Sequence, residues 1–219
     1  MSKMNDKQSD DESITTLSYT DLIKWTAKSE TDTANNEAIS VIGQAFGDHS
    51  TSLGIIAITD VPNYPALRSK LLQISHQFAT QTPQKSLDKL TKEETFYSVG
   101  WSHGKEKLEG DKLDMGKGSF YANPLTDSPI ESILKRDFDC MEEDEETQRR
   151  KSEFLEMAEQ NPAFYAPNVW PSEEVPEMEN LVKDMGKLIQ GVGIMVAKLC
   201  DGYVAEKVRC FVKGQCFVP

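Results

Sequence analysis

Met178, Met185, Val192 and Leu199 recur every seven residues toward the end of the chain. Leu181/Val182, Leu188/Ile189 and Met195/Val196 fill the positions between them. Apolar side chains at that spacing make one continuous stripe on an α-helix, and core packing is the plain reading of it. Counted from Glu177 to Asp201, the helix would be about 37 Å long. Gly186, Gly191 and Gly193 inside it each cost about 1 kcal/mol relative to alanine. That cost predicts close approach of another element on the glycine side.

The rest of the chain reads as shorter elements. Ala38, Val41, Ile42, Ala45 and Phe46 fall at helical spacing behind Asn35 or Asn36, either of which can cap the first turn. Leu53–Thr59 is an Ile-rich apolar run that suits a strand buried on both faces. Asp60–Pro65 reads as a turn, and Leu67, Leu71, Ile74 and Phe78 predict a helix that Thr82 and Pro83 stop. Tyr97, Val99, Trp101 and His103 alternate with small residues, which places the large side chains on one face of a strand. Ser119–Pro124 reads as a second strand ending in a turn, and Gly104–Gly118 as a polar connection. The dense charges of Asp137–Lys151 suit a solvated surface helix or loop. Ahead of all this, residues 1–33 are mostly polar and read as a disordered segment, with one island, a short strand or turn, that docks Leu22, Ile23 and Trp25.

Composition narrows the function. The 219 residues include 36 acidic against 24 basic side chains, for a net charge of -12. That field repels a phosphate backbone or an anionic bilayer, so neither nucleic acid nor membrane is expected as a partner. Met1–Asp11 is polar and unlike a signal peptide. Leu188–Cys200, broken by Gln190 and Lys198, reads as too short to span a bilayer. Of the 4 cysteines, Cys200, Cys210 and Cys216 crowd the tail and Cys140 stands alone; no CxxC pair occurs. A reducing, cytoplasmic setting is the expectation.

Chemistry has few groups to draw on. There are 3 histidines. His49 lies in a loop, His76 on the solvent side of its helix, and His103 at the end of the aromatic strand, where it alone has a claim on a pocket. No H-x-D or H-x-E pair occurs, and His103-Gly-Lys-Glu106 is spaced one residue too far. H-E-x-x-H, zinc spacings, a G-x-S-x-G elbow, a phosphate loop and G-x-G-x-x-G are likewise missing from the sequence. Neither a catalytic nor a metal-binding residue is therefore expected.

The order of segments nevertheless has a counterpart. Leu53-Gly-Ile-Ile-Ala-Ile-Thr-Asp-Val-Pro62 resembles the G-F-F-x-[LIV]-x-N-H-G-[VI]-P strand and turn of the isopenicillin N synthase-like family, the non-haem Fe(II), 2-oxoglutarate-dependent dioxygenases and their relatives. Asn168-Val-Trp-Pro171 resembles that family's N-x-W-P step ahead of its long helix. The resemblance covers roughly residues 35–204, that is, the N-terminal half of the family.

It implies an α+β chain: the N-terminal α/β part of a double-stranded β-helix (jelly-roll) plus the long backbone helix, with the C-terminal strands missing. Residues 1–33, 34–204 and 205–219 then become a leading segment, a dioxygenase-like region and an atypical tail that suggests truncation. In the family the iron ligands and the 2-oxoglutarate anchor follow the long helix, so this chain has no counterpart for them. Fe(II), 2-oxoglutarate and a small-molecule substrate are implied only for a full-length member. Tyr97, Trp101, His103 and Tyr121 correspond to segments near the family's substrate end and are the candidates for substrate contact; plain core packing is the competing reading. Two further functions stay open: a non-enzymatic acidic interaction module derived from this fold, and a cysteine-based redox protein.

Overall fold

The computed structural model describes residues 13–27 and 36–212. It is an α+β chain whose described strands form two separate two-stranded sheets. The chain divides into two compact units, one built from residues up to Pro62 together with those from Ile189 onward, the other from Asn63–Leu188.

In the first unit, β1 (Thr15–Ser18) runs directly into α1 (Tyr19–Thr26). Ser18 caps the helix by accepting from the Asp21 amide at 3.1 Å while its hydroxyl donates back to the Asp21 carboxylate at 2.7 Å. Leu22 and Trp25 are buried as expected, but on a helix rather than a strand or turn, and Ile23 faces outward. The helix α2 (Asn36–Phe46) follows the expected stripe, burying Ala38, Ile42 and Ala45. Asn35 lies outside the described residues.

β2 is shorter than the apolar run that predicts it, covering only Ile56–Thr59. It pairs in parallel with β1 alone, Leu17 opposite Ile58. Its residues are half-buried to exposed rather than buried on both faces, and Leu53 and Ile55 ahead of it are exposed. Gly54, at φ +68°, turns the chain just before the strand.

The second unit begins with α3 (Tyr64–Gln81), whose Ile74 and Phe78 are buried and whose Leu67 and Leu71 pack beside them. Pro83 then starts a helix absent from the sequence reading, α4 (Gln84–Leu90), which buries Leu87 and Leu90. β3 (Gly100–His103) pairs antiparallel with β4 (Gly118–Tyr121), Trp101 opposite Phe120 and His103 opposite Gly118. The polar connection between them folds on itself through a Lys107–Leu113 bridge. Helices α5 (Pro129–Phe138), α6 (Glu145–Gln160) and α7 (Pro162–Tyr165) follow. α6 is the solvated helix expected of the charge run, capped by Asp144 and carrying Arg149 between Glu146 and Glu153.

The long helix α8 covers Met178–Val212, about 52 Å, and so runs eleven residues past the expected Asp201 and through much of the segment read as an atypical tail. Its first turns give Met178 and Leu181 to the core of the second unit. Farther on, Leu199 is buried in the core of the first unit, with Val192, Met195, Val196, Cys200 and Tyr203 packed beside it. The glycine expectation holds at one place of three. A Cβ on Gly186 would lie 2.1 Å from the Pro124 Cβ, whereas Gly191 and Gly193 have no neighbour within 4 Å. By length and composition Met178–Arg209 is apolar enough to cross a membrane, with a mean hydropathy of 1.3 in its richest window. The run Leu188–Cys200 alone is too short, and the continuation of the helix beyond it corrects that expectation.

Candidate functional site

Phe78 on α3 meets Trp101 edge-on at 5.4 Å between ring centroids and Phe120 at 5.3 Å. These rings fill the space between the β3–β4 hairpin and the helices. Trp101 is 8% exposed. A Cβ on Gly118 would come within 2.2 Å of the Trp101 ring, so only glycine fits opposite the indole.

Of the four candidate contact residues, the structure brings two together. His103 stacks beside Trp101 at 5.9 Å and 35°, exposed, with its Nε2 3.0 Å from the Met115 carbonyl. Tyr121 follows Phe120 in β4, and strand alternation directs it to the sheet face opposite Trp101. Tyr97 is not in the strand at all. It and Phe96 both take left-handed backbone angles, φ +60° and +53°, before β3 begins at Gly100. Period-two reading from Tyr97 fails for this reason. Val99, Gly100, Trp101 and Ser102 are all buried, so the expected large-face/small-face division is lost as well. The Lys105 ammonium sits 5.0 Å from the Tyr97 ring centre.

His49 and His76 are exposed on a loop and on α3. The His49 ring is engaged locally, Nδ1 lying 2.8 Å from the Thr51 hydroxyl. Among the described residues no group of three His, Cys, Asp or Glu side chains converges. The three imidazoles stand on separate elements and do not fit an Fe(II) site. Cys200 is half-buried, and that burial, followed by the nearby Asp201 charge, pushes its thiol above the ordinary range. A raised thiol is a poor nucleophile. Cys210 and Cys216 have no described side chain.

The densest polar arrangement lies around the Asn168-Val-Trp-Pro171 step. Asp127 accepts from Trp170 Nε1 at 2.8 Å, from Asn168 Nδ2 at 2.9 Å, and from the Lys183 ammonium of α8. Lys183 also donates to Glu179 at 2.6 Å. Asn168 exchanges two hydrogen bonds with the Asn123 backbone, each 2.7 Å, and Pro171 is fully buried. The Lys183 hydrogen bond, backed by Asn168 and Trp170, holds the Asp127 carboxyl down at about 2. The tetrapeptide is legible in the sequence, but its carboxylate partner lies 41 residues before Asn168 and shows no local signal.

Beside this cluster, α4 and the chain after Pro171 enclose a groove of about 370 Å³. Leu90, Val169 and Trp170 line it together with Lys89, Glu173 and Glu174. The charged side chains fall on two stretches separated in sequence, which is why no motif announces the groove.

Compared with family models, with curated proteins and with solved structures, the chain matches none.

Proposed function

We infer that the chain is the N-terminal, non-metal-binding part of an isopenicillin N synthase-like oxidoreductase, whose jelly-roll strands and iron ligands would be encoded beyond Pro219. The reading rests first on the order of segments. A helix, an Ile-rich strand and turn, a second helix, an aromatic hairpin and the Asn168–Pro171 step precede one long helix. The observation that carries it furthest is the outer flank of that helix. Ile194, Val204 and Val208 are 49%, 56% and 56% exposed, although the other side of α8 is already packed into core. A helix apolar on both sides normally has both sides covered. In this reading additional strands cover the second side.

No residue of this chain is assigned a step with dioxygen, because the residues present do not fit iron. In this reading Fe(II) and 2-oxoglutarate belong to the extended protein, where dioxygen would be the oxidant and 2-oxoglutarate the co-reductant in oxidising a small-molecule substrate. His103, exposed on the sheet face it shares with the core residue Trp101, remains the proposed substrate-side residue; Tyr97 and Tyr121 contribute only if a bound substrate reaches around the hairpin. The alternative, an acidic interaction module without catalysis, draws on the same exposed flank and differs in having nothing encoded downstream. Sequencing the transcript past the Val212 codons tests the proposal. An H-x-D pair and a distal His in that stretch, in frame or shifted, support it. A transcript lacking them overturns it in favour of the interaction module.

A further inference from the structure

The groove between α4 and the turn after Pro171 combines two features that single out a class of ligand. Its floor is apolar, formed by Leu90, Val169 and Trp170, and its volume of about 370 Å³ lies within the range of small-molecule sites. Its rim carries opposite charges that do not satisfy one another. Among the described residues, the side chains of Lys89, Glu173 and Glu174 form no ion pair, side-chain hydrogen bond or cation–π contact. Lys107 with Asp111, Lys117 with Glu106 and Lys151 with Glu143 show what a satisfied surface pair looks like in this chain. An unpaired ammonium and unpaired carboxylates over an apolar floor suit a molecule that brings one charge of each sign on an apolar spacer.

We propose that this groove binds a small zwitterion whose cationic and anionic ends are joined by an aliphatic chain, the anionic end meeting Lys89, the cationic end Glu173 and Glu174, and the chain lying against Trp170. The wall is firm where the ligand would rest. Trp170 is fixed by its indole hydrogen bond to Asp127 at 2.8 Å, and Pro171 behind it is fully buried. Ring position therefore need not be reorganised on binding, which limits the ordering cost. This site does not depend on the oxidoreductase reading, since none of its residues is placed there in substrate contact.

The test is titration of the purified 219-residue chain, labelled with nitrogen-15, with ε-aminocaproate, caproate and hexylamine, three probes of one carbon skeleton. The Trp170 indole N–H signal should move saturably with ε-aminocaproate while that of Trp25 stays in place. Caproate and hexylamine should each bind about tenfold more weakly, since removal of one charge-assisted contact is worth about 1.4 kcal/mol. Lys89→Ala and the double variant Glu173→Gln/Glu174→Gln should each weaken ε-aminocaproate by about the same factor. Both alter exposed or half-exposed side chains, and an unchanged thermal melt will show that they fold. No saturable shift at Trp170, equal binding of the three probes, or indifference to both variants would overturn the proposal.

Discussion

The Trp170 indole donates to the Asp127 carboxylate at 2.8 Å, joining two chain segments that are 43 residues apart in sequence. Through the same carboxylate both segments reach Lys183 on α8. The Asn-x-Trp-Pro step thus acts as a clasp: asparagine and tryptophan each spend a side-chain donor on one acid, and proline seals the apolar side.

Acid should open this clasp. Asp127 titrates at about 2 in the folded chain against an ordinary 3.8, so its contribution is fully present above about pH 4 and is lost as pH falls toward 2. Because the side chain is 45% exposed, solvent screening reduces the contribution to about 1 kcal/mol. Urea denaturation at pH 5 and at pH 2 should show that much less of a difference in Asp127→Asn than in the parent chain, and the variant should be about 1–2 kcal/mol less stable at pH 7.

The glycines of α8 should respond in opposite directions. Gly186→Ala forces a Cβ against Pro124, at 2.1 Å, and should destabilise by about 1–3 kcal/mol. Gly191→Ala and Gly193→Ala meet open space and should each stabilise by up to about 1 kcal/mol through helix propensity. Thermal melts of the three single variants decide this.

Aromatic truncation separates core from surface. Phe78 is 1% exposed, and Phe78→Ala should cost about 3–5 kcal/mol. Trp101→Ala, which removes a partner of Phe78, should fall in the same range of about 3–5 kcal/mol. Tyr121, at 39% exposure, should lose less than about 1 kcal/mol on truncation to alanine. A large loss at Tyr121 would mean that it packs as core, contrary to its position on the sheet.

The outer flank of α8 should tolerate charge. Ile194→Lys with Val204→Lys should leave the melt within about 0.5 kcal/mol of the parent and reduce binding of a hydrophobic dye, because neither residue is packed. Loss of the cooperative transition would show that this flank is already in use.

Legibility in the sequence followed periodicity. The α3 stripe from Leu67 to Phe78 and the α2 stripe from Ala38 to Ala45 were readable because each faces a single core. The seven-residue repeat of α8 was readable too, but its end was not: Glu206, Lys207 and Arg209 looked like a tail, although charged residues lengthen a helix as readily as they solvate a loop. Leu53–Thr59 misleads because an apolar run records hydrophobicity, not how far other elements cover each face of a strand, and β2 is only half-covered. Phe96 and Tyr97 carry no glycine to advertise their left-handed turn. α1 did have a signal, the Ser18-x-x-Asp21 cap, which the apolar island beside it obscured. The groove residues were invisible because Lys89 and Glu173 have no local relationship, and only the folded chain sets them around one cavity.

Under the proposed oxidoreductase reading, oxidation chemistry would require a longer product and would not be carried by these 219 residues. Succinate formed from 2-oxoglutarate under Fe(II), ascorbate and oxygen, measured for this chain and for the product extended through the downstream coding sequence, tests it most directly. The chain alone should give no enzyme-dependent succinate, and the extended product should give iron-dependent succinate. Turnover by the chain alone, or none from an extended product that binds iron, would contradict it.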